Sequence, residues 1–275
     1  MNKPGMFGSL LLALSMTAPT AKALTHDELQ WQGFGNRIIE FSGYAWRAKQ
    51  GGLFGPGNNY FSESEDNIRV DEKGRLHLRI TQRDGKWYCP ELVLVNPLGY
   101  GDYIFKTVGR VDQLDRNVIL GFFIWEYQES YLSNNVYNGA NEFDIEFGRW
   151  KDPKRLPAQF ACQPWQTQGN EHHFDLRLEG ADAKSTHAFR WRPGAIDGRS
   201  WHGHREVPRS SEMVESWTYA GKDVPRLEAP RVHLNLWCIE EPPADRQEQE
   251  VVLSEFKFIP WAAHRHPWWM FWRRD

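Results

Sequence analysis

Short segments of alternating apolar and polar residues make up most of the chain after Ile68, and this pattern restricts the fold more than any other feature. The segments include "NIRVDEKGRLHLRIT", "KWYCPELVLV", "YGDYIFKTV", "VILGFFIW" and "RVHLNLWCI". They are rich in Val, Ile, Phe, Tyr and Trp and are separated by Gly, Pro, Asn and Asp, as is typical of β-strands. About ten such strands, with almost no helical periodicity, must bury their apolar faces against one another. The pattern predicts an all-β sandwich or closed barrel.

Length and composition favour one folded domain. With 275 residues, of which 40% are apolar, the chain can bury a large core. The sequence has no repeat of fixed period and no low-complexity linker that would mark a second domain. We expect a single domain over residues 24–262, between a signal peptide at residues 1–23 and an aromatic and basic tail at residues 263–275.

The N-terminus has the features of a secretory signal peptide. Lys3 precedes an apolar stretch over residues 6–16, which is too short to span a membrane, and "AKA" at residues 21–23 matches a small-x-small cleavage site. Without Lys3 and Lys22, 31 of the 33 basic residues remain against 36 acidic ones, and no basic block is present. This charge distribution argues against a nucleic-acid partner. We expect a secreted or periplasmic monomer.

Three cysteines, Cys89, Cys162 and Cys238, are an odd number for an oxidising compartment. At most one internal disulfide can form, and the spacing does not show which pair it would join. None of the three belongs to a CxxC motif or a Cys/His cluster, so a structural zinc site is not expected.

The tail segment "WAAHRHPWWMFWRRD" is rich in Trp and Arg. The favoured interpretation is a terminal segment that packs on the sandwich or has no fixed structure. The alternative is a segment that contacts a membrane interface, where Trp and Arg side chains are both stable.

The segment "NEFDIEF" places three carboxylates at alternate positions of one predicted strand. Glu142, Asp144 and Glu146 share one face, and the apolar residues between them share the other. The apolar set can fill a core, whereas the neighbouring carboxylates repel one another and raise each other's pKa. A solvated polar face and a calcium or magnesium site are alternative interpretations. The pattern favours glycoside hydrolysis, in which one carboxylate attacks the anomeric carbon and a protonated one acts as acid and then base.

The spacing of Glu142 and Glu146 restricts this interpretation. Their Cα atoms would lie about 13 Å apart on an ideal strand, whereas the carboxyl groups of a retaining pair lie about 5–5.5 Å apart. Two long side chains that lean inward on a curved sheet can close this gap over one sugar. Asp144 is shorter and can hydrogen-bond one glutamate and adjust the pKa of both.

"NEFDIEF" resembles the Glu-x-Asp-x-Glu signature of glycoside hydrolase family 16, which includes lichenases and laminarinases. "KWYCPEL", "GYGDYIFK", "LGFFIW", "AQF", "AFRWRPG" and "LNLW" resemble further landmarks of the family in the same order, from about Ile68 to Trp237. The resemblance implies a concanavalin A-like β-jelly-roll sandwich with a concave substrate cleft. It also implies that Glu142 is the nucleophile, Glu146 the general acid/base and Asp144 a helper beside them.

The candidate substrate-binding residues are Glu91, Trp125, Trp150, Trp237, Gln163 and Asn59. The glutamate, in "CPEL", matches one that contacts sugar in lichenases, and Trp125 and Trp237 match aromatic positions of the cleft. The glutamine occupies a further cleft position, Trp150 follows the catalytic strand, and Asn59 lies in an N-terminal turn. His187 is on a strand that approaches the leaving-group side of the cleft in relatives.

Several residues differ from the lichenase pattern at cleft positions but not at the three carboxylates. The resemblance therefore supports glycoside hydrolysis but does not identify the polysaccharide. Val93 and Ala140 stand where lichenases carry an arginine and a tryptophan, and Ala161 and Gln163 stand where they carry Asn and Tyr. Cys89 matches a lichenase half-cystine, but no cysteine in the preceding strand is present to pair with it.

Residues and resemblance together predict a retaining endo-glycosidase that cleaves a β-linked polysaccharide of the glucan or galactan type through a glycosyl-enzyme intermediate on Glu142. No organic cofactor is required. A structural calcium ion occurs in relatives, but its ligands cannot be identified in this sequence. The alternatives are a transglycosylase that uses the same site and a non-catalytic, lectin-like carbohydrate-binding protein.

Overall fold

The computed structural model describes Trp31, residues 33–126 and residues 141–261. The predicted signal peptide, the C-terminal tail and Ala140 lie outside these residues. The described part contains two 3-10 helices, Val111–Gln113 and Ser210–Glu212. Neither is long or apolar enough to cross a membrane, and the described part has no other helix.

The remaining regular structure consists of strands. In chain order they are β1 (Phe34–Phe41), β2 (Tyr44–Lys49), β3 (Gly51–Phe54), β4 (Asn59–Phe61), β5 (Ile68–Val70), β6 (Leu76–Arg83), β7 (Lys86–Cys89), β8 (Glu91–Leu94), β9 (Gly101–Val108), β10 (Val118–Trp125), β11 (Phe143–Gly148), β12 (Ala158–Cys162), β13 (Glu171–Phe174), β14 (Lys184–Arg192), β15 (Ala195–His202), β16 (Met213–Tyr219), β17 (Arg231–Cys238) and β18 (Gln249–Pro260).

The strands form two sheets. The eight-stranded sheet has the order β1-β2-β8-β17-β10-β11-β12-β13, and all its pairs are antiparallel. The ten-stranded sheet has the order β16-β15-β14-β9-β18-β6-β7-β4-β3, with β5 paired to β6 at one side. Within it only β4 and β7 are parallel.

Aromatic side chains join the two sheets into a sandwich. Phe105 of β9 stacks on Phe122 of β10 with ring centroids 4.9 Å apart, and Phe189 of β14 lies 5.2 Å from Phe143 of β11. All four side chains are fully buried, and burial of such apolar surface is the main favourable term in folding. The all-β jelly-roll sandwich predicted from the sequence is confirmed.

Two predicted strands are each divided in the structure, and six strands, β1 to β4, β15 and β16, correspond to no predicted segment. "KWYCPELVLV" forms β7 in the ten-stranded sheet and β8 in the eight-stranded sheet. Pro90 separates them because it has no N–H with which to continue a ladder. "NIRVDEKGRLHLRIT" forms β5 and β6, an antiparallel pair joined by a turn in which Gly74 has a φ of 73°.

Candidate active site

Strand β11 carries the predicted catalytic carboxylates, but it starts one residue later than the sequence predicts. Glu142 lies directly before Phe143, the first residue of the strand. Asn141 has a φ of 58°, which is outside the extended region that a strand requires. The Glu142 carbonyl still accepts a hydrogen bond from the Gln163 backbone N–H at 3.2 Å. Glu142 is therefore held at the end of the ladder that carries the other two carboxylates.

The side chain of Asn141 fixes the turn that leads into β11. Its amide nitrogen donates to Glu126 Oε2 at 2.7 Å and to Glu228 Oε2 at 2.9 Å. Its Oδ1 accepts a hydrogen bond from the Arg226 backbone N–H at 2.9 Å. Asn tolerates positive φ better than most residues. The sequence analysis missed this residue, for which a turn preference just before the acidic motif is the only signal.

The strand register places Asp144 and Glu146 on the outer face of the eight-stranded sheet, the face turned away from the ten-stranded sheet. Asp144 lies opposite Phe123 of β10, and Glu146 lies opposite Gly121. The alternating apolar residues of β11 are fully buried in the core. The segment thus has one apolar face and one acidic face, as alternation along a strand requires.

Gly121 of β10, opposite Glu146, lets the side chain of Asn235 pack close to the backbone. A Cβ atom at this glycine would lie 2.6 Å from Asn235 Oδ1 on β17, so a side chain would not fit without displacing that group. The lack of a side chain at Gly121 therefore allows the Asn235 amide to approach the backbone of β10 on the outer face. The sequence analysis missed this position, although a glycine inside a strand often marks such an approach.

Asp144 is hydrogen-bonded to both of its polar neighbours. Its side chain is 3% exposed, accepts a hydrogen bond on Oδ2 from Gln163 Nε2 at 2.8 Å and is hydrogen-bonded to Glu142. Burial, and to a smaller extent the charge of Glu142, raise the pKa of Asp144 well above its ordinary value. The hydrogen bond from Gln163 lowers this pKa, but by less. A protonated Asp144 can donate to Glu142, so the two carboxyl groups share a proton.

Glu146 is partly buried and has a separate set of partners. Gln159 of β12 donates from Nε2 to Glu146 Oε2 at 2.7 Å, and Arg155 Nη2 donates to Gln159 Oε1 at 2.8 Å. Burial, followed by the charge of Asp144, raises the pKa of Glu146 well above its ordinary value. The Gln159 bond and Arg155 lower this pKa, and the charge of Glu171 raises it further. A carboxyl group in this environment is suited to hold a proton near neutral pH, as a general acid must.

Glu91 lies on the outer face, but protein groups engage both of its oxygens. It is 2% exposed, accepts a hydrogen bond on Oε2 from Lys49 Nζ at 2.8 Å, and has Oε1 3.0 Å from His233 Nδ1. Burial alone would raise the pKa of Glu91, but Lys49 and His233 together lower it below its ordinary value. Glu91 is therefore an ionised carboxylate that holds Lys49 and His233 in place. Its predicted contact with sugar stays a prediction.

The three candidate tryptophans occupy two places. Trp125 is partly buried at the end of β10, with its ring edge-on to the His233 imidazole at 5.6 Å. Trp237, on β17, is 7% exposed and packs edge-on against Trp150 with ring centroids 5.8 Å apart. The register puts Trp125 and Trp237 on the face that carries the carboxylates.

The polar candidates Asn59 and Gln163 also contact protein groups. Asn59 donates to the carbonyl oxygens of Pro56 at 2.9 Å and Cys238 at 2.8 Å, so it fastens its turn to the end of β17. Gln163 is buried beside the carboxylates, and its Oε1 accepts a hydrogen bond from the Trp165 backbone N–H at 2.9 Å. Gln163 therefore connects the loop after β12 to the carboxylate cluster.

Several buried polar atoms on the outer face have no hydrogen-bond partner among the described residues. They are Arg47 Nε, His173 Nδ1, His233 Nε2 and Asn235 Oδ1. The register places all four side chains on the same face as Asp144 and Glu146. Because buried polar groups are normally paired, this face is prepared to bind a polar ligand or ordered water.

His187 lies between the two sheets, and its expected position near the cleft is wrong. Strand β14 belongs to the ten-stranded sheet, and the imidazole ring lies 4.5 Å from the ring of Phe147 on the core side of β11. Its nitrogens are 2.9 Å from the hydroxyl oxygens of Ser185 and Ser200. Burial lowers the pKa of His187 to about 3, so the ring is neutral at physiological pH.

The histidines of β13 point in opposite directions. His173 lies opposite Gln159 on the outer face, whereas His172 stacks on Trp217 with ring centroids 5.9 Å apart. Within the described ranges, no three His, Cys, Asp or Glu side chains are grouped so that they could hold a metal ion.

The fold is similar to that of several bacterial glucanases. A β-glucanase of Bacillus licheniformis has a TM-score of 0.56 and 19% sequence identity, over 78% of this chain and 91% of that chain. A prokaryotic β-1,3-1,4-glucanase (lichenase) from a mouse hindgut metagenome has a TM-score of 0.54 and 20% identity, over 78% and 92%. An immunostimulatory antigen and pseudo β-1,3-glucanase of Mycobacterium tuberculosis has a TM-score of 0.55 and 12% identity, over 78% and 90%.

At these identities the similarity shows the fold of the chain and not its activity. No protein-family model and no curated protein sequence matches the chain. The function therefore depends on the chemistry of the carboxylate cluster and the face around it.

Proposed function

We propose that this protein is a secreted or periplasmic glycoside hydrolase that cleaves internal bonds of a β-linked glucan or galactan with retention of configuration. The observation that carries the proposal is the cluster of Glu142, Asp144 and Glu146 on one recessed face, where burial and mutual charge raise the pKa of two of them. A purely structural strand gains nothing from this repulsion. A double displacement needs one attacking carboxylate and one protonated carboxyl group.

In the first step a Glu142 carboxylate oxygen attacks the anomeric carbon. The bond from that carbon to the glycosidic oxygen breaks, and Glu146 gives its proton to the departing oxygen. The products are a sugar chain with a free hydroxyl and a glycosyl ester on Glu142. Asp144, positioned by Gln163, donates a hydrogen bond to Glu142 and so influences when that oxygen is free to attack.

In the second step Glu146, now ionised, takes a proton from a water molecule. The water oxygen attacks the anomeric carbon, the ester bond breaks, and Glu142 is released as a carboxylate. Two inversions at the same carbon give net retention. The route uses only carboxyl groups and water, so we propose that no organic cofactor takes part.

The outer face supports a polymer as substrate. Its unpartnered polar atoms extend from His173 on β13 to Arg47 on β2. Strand β2 lies four strand intervals from β11, about 19 Å at the usual spacing. Sugar hydroxyls can both donate and accept hydrogen bonds, and aromatic rings such as Trp125 can stack on their C–H faces. The structural neighbours described as β-glucanases add support for a glucan.

The proposal can be tested by measuring reducing ends released from a panel of polysaccharides: mixed-linkage and β-1,3-glucans, xyloglucan, agarose and carrageenan. Wild type is compared with Glu142→Gln, Glu146→Gln and the control Glu72→Gln, which changes an exposed glutamate of the β5–β6 turn. We expect turnover of at least one polymer. Both catalytic variants should lose about 10³-fold or more of it, and the control should keep it.

Other outcomes identify the alternatives. If an added oligosaccharide acceptor is lengthened while few reducing ends appear, the site is that of a transglycosylase. Binding without turnover, unchanged in Glu142→Gln, indicates a lectin-like protein; one structural neighbour is described as a pseudo-glucanase. Turnover that survives in both glutamine variants would refute the assignment of the catalytic residues.

A further inference from the structure

We propose that Cys89 and Cys238 form an intramolecular disulfide when the chain folds in an oxidising environment, and that Cys162 remains a thiol. The bond would join the corner between β7 and β8 to the end of β17. The bond involves none of the proposed catalytic carboxylates. The proposal of a disulfide can therefore be correct or wrong independently of the proposed activity.

The two thiols are neighbours in the core. Cys89 is 0% exposed and Cys238 is 3% exposed, and the thiol and backbone N–H of Cys238 both lie within hydrogen-bonding reach of the Cys89 sulfur. Asn59 touches both residues: its Oδ1 is 3.5 Å from Cys89 Sγ, and its amide donates to the Cys238 carbonyl at 2.8 Å. These contacts fix the relative position of the two cysteines.

Strand β7, which ends at Cys89, lies close to β17, with Cα atoms of the two strands within 8 Å of each other. The Leu236 N–H donates to the Pro90 carbonyl at 3.1 Å, so the pairing of β8 with β17 continues to the corner where Cys89 lies. Continued by one residue beyond Pro90, the β8–β17 register puts Trp237 opposite Cys89 and Cys238 one residue further along. A disulfide joins Cα atoms about 4.4–6.8 Å apart, and the contact between the two thiols is consistent with that reach.

Cys162 cannot take the place of either partner. It is on β12, which is separated from β17 by β10 and β11, and three strand intervals are about 14 Å. Its thiol donates to the Asp223 carbonyl at 3.0 Å, and the register places it level with Val232, six residues along β17 from Cys238. This distance is beyond the reach of a disulfide.

The oxidant is a second disulfide, such as oxidised glutathione. One cysteine thiolate attacks it, which forms a mixed disulfide and releases one glutathione thiolate. The other cysteine thiolate then attacks the mixed disulfide and releases the second. The protein loses two thiol protons and two electrons, and the oxidant becomes two thiols.

The timing of the reaction follows from the environment of Cys89. Burial raises the pKa of its thiol well above the ordinary value, so the thiolate is scarce once the core has formed. Formation should therefore be fast during folding and slow in the folded, reduced protein. A bond made during folding also constrains a long loop of the unfolded chain, which stabilises the fold.

The experiment refolds the reduced full-length protein with either a glutathione redox buffer or dithiothreitol, and counts thiols in denaturant. We expect one free thiol after oxidative refolding and three after reduction. Cys162→Ser should have none after oxidative refolding, and Cys238→Ser should have two. The oxidised protein should unfold about 5–15 °C above the reduced one.

Peptide mapping identifies the bond. After trypsin digestion the three cysteines lie in separate peptides, residues 87–106, 156–177 and 232–246. The proposal requires a cross-link between 87–106 and 232–246 that disappears on reduction. Three free thiols after oxidative refolding, or a cross-link that contains 156–177, would overturn it.

Discussion

Glu146 is held in an environment that favours its neutral form and opposes its charged form. Burial and the neighbouring Asp144 raise its pKa above the ordinary 4.5. Because the pKa of Glu146 is higher in the folded state, the folded protein holds a proton on Glu146 over a range of pH above 4.5 in which the unfolded chain has lost it. The stability contributed by Glu146 is therefore present at low pH and is lost as the pH rises through the raised pKa. The property that suits a general acid thus destabilises the fold at neutral pH.

Glu146→Gln should therefore raise the melting temperature at pH 8 by about 2–4 °C while it abolishes activity. The gain should shrink as the pH falls and vanish near pH 4, where wild-type Glu146 is protonated in both states. Differential scanning calorimetry from pH 4 to pH 8 measures it, with the exposed Glu72→Gln as a control that should stay within about 1 °C of wild type. A melting temperature for Glu146→Gln below that of wild type at pH 8 would contradict the account.

At the scale of elements, residues of the ladder β11–β12–β13 shift the pKa of Glu146, the proposed acid/base. Arg155 Nη2 donates to Gln159 and lies 3.8 Å from Glu171, and Gln159 contacts Glu146. The charges of Glu171 and Arg155 shift the pKa of Glu146 in opposite directions, upward and downward respectively. Because a general acid must be protonated, that pKa sets the alkaline limb of the pH–activity profile.

Two substitutions should move this limb in opposite directions. Glu171→Gln removes a charge that raises the pKa of Glu146 and should shift the limb to lower pH; Arg155→Met should shift it to higher pH. Each shift should be a few tenths of a pH unit, because both groups are partly exposed and screened by solvent and salt. The double variant should lie near wild type, and high salt should reduce both shifts. Shifts of the same sign in the two single variants would show that charge is not the cause.

The alternation within β11 could be predicted from the sequence, but the partners across the ladder could not. A period of two fixes which face Asp144 and Glu146 share. The choice of Gln159 and Gln163 as their partners depends on the register between β11 and β12, which alternation alone does not give. The contact between Lys49 and Glu91 could not be predicted either, because the two residues lie 42 positions apart in the sequence and on different strands.

At the scale of the whole molecule, the segments of alternating residues were sufficient to predict two apolar sheet faces packed together. They did not show where the chain passes from one sheet to the other. That change at Pro90 places Glu91 on the outer face of the eight-stranded sheet and brings Cys89 to Cys238. The prediction for His187 was wrong for the same reason: the local pattern does not show that its strand, β14, belongs to the ten-stranded sheet, which does not carry the carboxylates. Sheet membership is a property of long-range pairing, so local patterns leave it open.

The central claim is that Glu142 attacks the anomeric carbon and Glu146 acts from the opposite side. Azide, a small anion, can fill the space left by either side chain in Glu142→Ala and Glu146→Ala. The substrate is an aryl β-glycoside of the oligosaccharide that the wild type releases, because its leaving group needs little protonation. The measurement is the anomeric configuration of the glycosyl azide, by nuclear magnetic resonance.

We predict the α-azide from Glu142→Ala, since azide then attacks from the side of the missing nucleophile. We predict the β-azide from Glu146→Ala, since azide then attacks the ester on Glu142 from the opposite side. The reverse assignment, or continued hydrolysis by Glu142→Ala with no azide product, would contradict the role of Glu142.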